Sequence, residues 1–317
     1  MRIAYISTYP PRKCGIGTFN QNLVKAVFPH TGEDHLQDQA FVIAMKEEDQ
    51  NYEFPPEVKF TIRTNHQKDY IKAARFINFS GADICVLQHE FGIYGGEMGV
   101  YILPLLHQLT IPLITICHTV LKDPSYMQRS VLAEIGAKST KFVVMSQLAV
   151  EFLKSVYKIP STKINLISHG TPVFKSNLQH SLKQSFNFQS KKILLTFGLI
   201  SRNKGIETVL HVLPEVVKKH PEVLYIVLGA THPAVIRLSG EEYKESLKRL
   251  VEKYELTDHV FFYDQFVSEA TLVDFLSMCD IYITPYLSKE QITSGTLSYA
   301  IGAGTCIIST PYWHATE

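Results

Sequence analysis

Short, apolar runs of β-forming residues alternate along this chain with longer segments of helical period, and no other feature constrains the fold as tightly. Strand-like runs fall at 2–7, 84–88, 112–117, 142–145 and 164–167, with a helix-like segment at 18–28. A second series follows: ILLTF (193–197), VLYIVL (223–228), HVFF (259–262), IYIT (281–284) and CIIS (306–309). Runs that are apolar on both faces belong to strands covered on both sides, so the pattern predicts parallel sheets clad in helices. Tyr243, Leu247, Leu250, Val251 and Tyr254 form an apolar stripe at helical spacing between two of these runs. The segment 173–190 has neither period and separates the series. The expected organisation is therefore a Rossmann-like domain over 1–172, a linker over 173–190 and a second Rossmann-like domain over 191–317. Only eight residues follow 309, fewer than a further βα unit needs, and the second domain is expected to be incomplete.

Composition sets the outer limits. With 317 residues, 45% hydrophobic and 19% charged, the chain can bury the cores of about two domains. Its 31 basic and 30 acidic residues leave a formal charge of +1, which excludes a broad field for nucleic acid and makes any anion binding local. Five cysteines, Cys14, Cys85, Cys117, Cys279 and Cys306, are odd in number, far apart and mostly set in strand-like runs, as free thiols of a reducing compartment are. Residues 1–7 read as a strand rather than a leader, and no stretch reaches the ~18 apolar residues of a membrane span. A cytoplasmic protein is expected, with peripheral membrane contact left open.

Three turns carry the chemistry. After the first strand come Arg12, Lys13, Cys14, Gly15, Ile16, Gly17 and Thr18, a glycine-bearing turn at a helix start, where free N–H groups suit an anion or, equally, make an ordinary tight turn. After 193–197 come Gly198, Leu199, Ile200, Ser201, Arg202, Asn203, Lys204 and Gly205, where two cations and a helix N-terminus would act together on a diphosphate. After 281–284 come Glu290 and Gln291, then Thr293, Ser294, Gly295 and Thr296, whose amides and hydroxyls suit a phosphate or sugar and would also serve as a helix cap. The first half adds His89, Glu90, Gly95, Gly96 and Glu97 after 84–88, a loop suited to sugar hydroxyls. His118 ends the run 112–117. His169 precedes Gly170 and Pro172 near the boundary and reads as structural.

In this order the residues resemble the retaining glycosyltransferases of GT-B fold, the large family that includes sucrose synthases and phosphatidylinositol mannosyltransferases. The resemblance implies an α/β chain of two Rossmann-like domains facing a cleft, and transfer of a hexose from a nucleotide diphosphate sugar such as GDP-mannose or UDP-glucose to a carbohydrate or other hydroxyl acceptor. It implies no separate cofactor, and the absence of an Asp-x-Asp motif makes a metal-independent reaction the expectation. Gly15 and Gly17 match the family's N-terminal turn, Lys204 inherits the donor-diphosphate role, and Leu199 stands where the family has arginine, with Arg202 three residues on. The resemblance implies that His118 contacts the donor sugar; from their own chemistry Thr293, Ser294, Gly295 and Thr296 are expected to line the donor diphosphate, and His89, Glu90 and Glu97 to face the acceptor. Aligning Ala303, Gly304 and Thr305 puts Gln291 and Tyr299 at the positions of two family glutamates, one near the transferred sugar and one at the ribose, with Glu290 beside the first. Loss of both acids keeps a second reading open, a non-catalytic nucleotide-sugar or glycan-binding protein on the same fold.

Overall fold

The computed structural model describes residues 1–28 and 39–317 and divides into two compact units, Met1–Ser168 and His169–Glu317. The first unit runs β1 (Ile3–Ser7), α1 (Gly15–Val27), β2 (Ala40–Lys46), β3 (Val58–Arg63), α2 (Gln67–Phe79), β4 (Ile84–His89), α3 (Leu103–Gln108), β5 (Leu113–Cys117), α4 (Tyr126–Lys138), β6 (Lys141–Val144), α5 (Gln147–Ser155) and β7 (Ile164–Leu166). Among the described residues its seven strands are all parallel, in the order β3-β2-β1-β4-β5-β6-β7. The five residues of β1 and the first six of β2 are buried, which is what a central strand covered on both faces requires.

The second unit runs α6 (Gln179–Ser185), β8 (Lys192–Phe197), α7 (Ile206–Lys219), β9 (Val223–Leu228), α8 (Pro233–Ser239), α9 (Glu242–Lys253), β10 (Val260–Tyr263), α10 (Glu269–Met278), β11 (Ile281–Thr284), α11 (Gly295–Gly302), β12 (Cys306–Ser309) and α12 (Trp313–Thr316). Its five parallel strands lie in the order β10-β9-β8-β11-β12. Tyr243, Leu247 and Val251 of the stripe on α9 are buried against Leu210, Leu213, Val223 and Tyr225, with Leu250 and Tyr254 packed beside them. The opposite face of the sheet is covered by Phe275, Leu276 and Met278 of α10 and by Ala300 of α11. Both sheets change direction between their first and fourth strands, β1/β4 and β8/β11, and such folds bind ligands beyond the carboxyl ends of those strands.

The structure departs from the sequence reading in three places. β2 and β3 lie where no strand was expected. The segment 173–190 is not a featureless linker, because it holds α6, which belongs to the second unit. There Lys183 pairs with Asp280 at 2.5 Å, and Phe186 packs on Phe275 with ring centroids 5.1 Å apart. Helix α1 begins three residues earlier than the period suggests, so Gly15 and Gly17 lie in its first turn. Gly17 is buried there, and a Cβ on it would come within 3.3 Å of the Tyr9 amide nitrogen. Among the described residues no helix is long and apolar enough to cross a membrane.

Candidate functional site

In the second unit the ends of β8 and β9 are drawn together beyond the sheet. Gly198 N–H donates to Leu228 O at 3.0 Å, Ile200 N–H to Ala230 O at 2.9 Å and His232 N–H to Ile200 O at 3.0 Å. Gly229, at φ +144°, makes this approach possible, since a Cβ there would lie 2.0 Å from Gly198 O. The chain then turns through a single 3-10 turn, Arg202–Lys204, and enters α7 at Gly205, whose φ of +62° is left-handed. The turn is tied to the loop after β11 by Leu287 N–H donating to Asn203 O at 3.1 Å. It aims Lys204 back across the edge of the sheet. Lys204 Nζ donates to Tyr286 Oη at 2.5 Å, and a Cβ on Gly198 would sit 3.3 Å from that nitrogen.

The loop after β11 supplies hydroxyls to the same place. Tyr286 Oη and Thr296 Oγ1 are 2.7 Å apart, and Thr296 Oγ1 and Ser294 Oγ 3.1 Å. Ser294 is the N-cap of α11: its backbone is extended and its Oγ accepts from Leu297 N–H at 3.3 Å. Its own N–H donates to His314 Nδ1 at 2.8 Å, so the neutral His314 carries its proton on Nε2, and burial lowers its pKa, with His169 adding to the effect against Glu317. The residues after β12 fold back to reach this point. Tyr312 stacks on Tyr286 with centroids 5.1 Å apart at 22°, and the N–H groups of Trp313 and His314 donate to Lys289 O and Gln291 O, each at 3.0 Å.

The structure thus gathers Lys204, Ser294, Gly295 and Thr296 around one set of hydroxyls at the switch point, with Thr293 immediately before the cap. Arg202 is committed elsewhere. Its Nη2 lies 2.8 Å from Glu242 Oε1 and its guanidinium 5.3 Å from the Tyr243 ring centroid, over a hollow also lined by Ser201, Asn203 and Ser239. Gln291 and Glu290 are exposed, and the Gln291 amide is turned onto Thr293 O at 2.7 Å. Tyr299 is half-buried and packs against the edge of the core beside Phe197, at 6.5 Å, and His169, at 5.9 Å. His169 lies against the start of α11, its Nε2 2.9 Å from the position a Cβ on Gly295 would take. Tyr286, Tyr312 and His314 were given no role from the sequence. Lys204 and Tyr286 are 82 positions apart, and no local pattern marks such a pair.

In the first unit the equivalent edge is built differently. His118 Nε2 lies 2.8 Å from Gln88 Oε1, and Gln88 Nε2 donates to Asn20 Oδ1 of α1 at 3.1 Å. Because that glutamine oxygen only accepts, the imidazole carries its proton on Nε2. Phe19 meets the His118 ring edge-on at 4.9 Å. Glu90 accepts from the Thr119 hydroxyl and from Phe91 N–H, and burial raises its carboxyl pKa against those bonds. Two acceptor-side expectations are corrected. His89 is only 1% exposed and burial pushes its pKa down to about 4, so it presents no surface to an acceptor. Gly95 is a packing glycine, with Thr64 O 1.9 Å from the position of a Cβ and its N–H donated to Tyr70 Oη at 2.8 Å. Glu97 is exposed at the start of the short helical turn Glu97–Ile102. The N-terminus of α1 has no side-chain cap, and Gly15 there is exposed.

Known proteins share this geometry. The glycosyl transferases group 1 family matches residues 179–315. Alpha-monoglucosyldiacylglycerol synthase of Streptococcus pneumoniae is 24% identical over 274 residues, covering 81% of this chain and 58% of the relative. Spore coat protein SA of Bacillus subtilis is 27% identical over 132 residues, 41% of this chain and 33% of the relative. The chain therefore spans well under two thirds of the length of these relatives. Among solved structures, Anabaena Alr3699/HepE in complex with UDP and glucose superposes with a TM-score of 0.73 at 12% identity, covering 100% of this chain and 82% of that one. WaaG, a glycosyltransferase involved in lipopolysaccharide biosynthesis, superposes at 0.65 with 14% identity, covering 99% and 82%. The second unit of this chain thus matches the glycosyl transferases group 1 family over residues 179–315, and the chain has the GT-B fold.

Proposed function

We propose that the protein transfers a hexose from a nucleotide diphosphate sugar to a carbohydrate or other hydroxyl acceptor, with retention at the anomeric carbon. The observation that carries this reading is Lys204, an ammonium held at the switch-point edge of the second sheet among the hydroxyls of Tyr286, Thr296 and Ser294. A cation and a hydroxyl-lined helix start placed together suit the charge that builds on a departing diphosphate, and that charge is the main electrostatic demand of such a transfer. In this reading the chain's own cation answers the demand without a metal ion. The solved relatives in complex with UDP and glucose favour UDP-glucose over GDP-mannose as the first donor to try. His118, oriented by Gln88, is the group we assign to the donor sugar, and Glu90 and Glu97 to the acceptor. We place the reaction in the cytoplasm.

A second reading is favoured by one observation: Gln291 is turned onto its own loop and a half-buried Tyr299 packs against Phe197 and His169, where the family carries glutamates. A protein without those acids would bind a nucleotide sugar and not turn it over. One pair of measurements tests both. Lys204→Ala should weaken nucleoside diphosphate binding in calorimetry by about tenfold or more, as loss of a charge-assisted contact worth about 1.5–3 kcal/mol implies. Unchanged affinity would remove Lys204 from the site. Release of free nucleotide from UDP-glucose or GDP-mannose, measured over time, supports the transferase, and binding without release supports the second reading.

A further inference from the structure

Tyr286 follows Pro285 directly after β11 and is 5% exposed. Its hydroxyl sits between two partners, Lys204 Nζ at 2.5 Å and Thr296 Oγ1 at 2.7 Å. An ammonium has donors only, so the phenol oxygen accepts from Lys204 and its own proton goes to Thr296. The ring needs no hydroxyl to stay in place, because Tyr312 stacks on it and Leu297 packs in the same cluster. The hydroxyl is therefore free to serve the lysine. Lys204 Nζ lies 4.2 Å from the Tyr286 ring centroid, and the bare Cα of Gly198 forms the other wall of its slot. A lysine on a turn otherwise samples many rotamers, and a ligand that must order it loses affinity.

We propose that Tyr286 is a positioning residue: its hydroxyl holds the Lys204 ammonium ready for the diphosphate of the donor. The inference rests on the reading of Lys204 as the diphosphate contact. It gives Tyr286 a role that packing alone does not, because the phenol faces a charge it can cancel. The ionisable groups facing it are Lys204 from the turn, Tyr282 from β11 and Tyr312 from the segment after β12, with His314 one step behind Ser294. Burial alone would raise the Tyr286 pKa, but Lys204 and the hydroxyls of Thr296 and Ser294 outweigh it and hold the phenol below its ordinary range. Once ionised, the phenolate would neutralise the ammonium, so diphosphate affinity falls as pH rises through that ionisation.

The test is calorimetric titration of the full chain with inorganic pyrophosphate and with UDP, from about pH 7 to about pH 10. It compares wild type, Tyr286→Phe, Lys204→Ala and the double variant. Tyr286→Phe should weaken both probes about fivefold at neutral pH and lose the alkaline decline, with no further loss when Lys204 is already Ala. If Lys204→Ala binds as wild type does, the diphosphate reading of Lys204 fails and this inference with it. If Lys204→Ala is weak but Tyr286→Phe matches wild type in affinity and pH profile, Lys204 keeps its role and Tyr286 has none. If Tyr286→Phe does not fold, the wild-type profile decides. An alkaline decline that coincides with tyrosinate absorbance, and is absent from Lys204→Ala, supports the inference; a decline without that absorbance, or none, overturns it.

Discussion

The two sheets share a strand order, 3-2-1-4 about their switch points, yet the carboxyl edges they present differ in kind. In the first unit the polar groups at the edge are partly or wholly withdrawn from water: burial pushes the His89 pKa down to about 4 and raises that of Glu90, and His118 is bonded to a fully buried Gln88. In the second unit the edge carries an ammonium, Lys204, over the hydroxyls of Tyr286, Thr296 and Ser294. Donors and acceptors held in fixed orientation suit hydroxyls, and a half-buried cation among hydroxyls suits an anion. The same topology thus presents two different electrostatic edges, because the edge's character is set by side chains beyond the strand ends.

The comparison breaks most severely at Gly229. A side chain there must take φ +144° and meet Gly198 O, so Gly229→Ala should cost on the order of 4 kcal/mol and unfold the second edge while leaving the first. Denaturation followed by a probe in each unit would show this, and a common, unshifted transition would contradict it. The first edge breaks with acid. His89 stays neutral in the folded protein down to about pH 4, whereas the unfolded chain takes up the proton below 6.5. The stabilisation is present above pH 6.5 and is lost as pH falls toward 4, by about 3 kcal/mol in all. Nuclear magnetic resonance of His89 would check the sign, since an imidazole titrating near its ordinary value would place it outside the core.

A finer cut separates cap from ligand site. Ser294→Ala removes the hydroxyl that accepts from Leu297 N–H, and should lower stability by about 1 kcal/mol in a denaturant titration while leaving Lys204 on Tyr286. The smallest effect is expected at Arg202, whose pair with Glu242 is 62% exposed on both sides. Arg202→Ala should change stability by no more than about 0.5 kcal/mol and nucleotide affinity by about twofold, far less than Lys204→Ala. An equal loss for the two would mean that Arg202 leaves Glu242 when the diphosphate binds, and would make the second edge more cationic than its unliganded geometry shows.

Much of this protein was legible before any coordinates. Ten strands appear as apolar runs; the central ones must be apolar along their length because both faces are covered, β7 and β12 are apolar though largely exposed, and the stripe on α9 appears because helical burial repeats along the chain. The turn holding Lys204 could be placed from its own residues, since its glycine, cations and following helix are contiguous. The strands missed, β2 and β3, had different causes. β2 is a buried run, AFVIAM, of the same kind as its neighbours, while β3 alternates toward an edge and carries Lys59 and Arg63 among its apolar residues. Helix α6 hid because its segment is polar, and it is held by Lys183 meeting Asp280, 97 positions away.

What the sequence by itself determined was the class of fold, the order of its elements and the turns at the strand ends, all set by periodicity and by residues adjacent in the chain. Tertiary structure alone decided which of those residues meet. Tyr286 receives Lys204 across 82 positions, His314 takes the N–H of Ser294 across 20, and Gln88 joins Asn20 to His118 across 68 and 30. Hydrogen bonds and burial act on distance in space, and local patterning carries no record of which distant side chain will stand within reach.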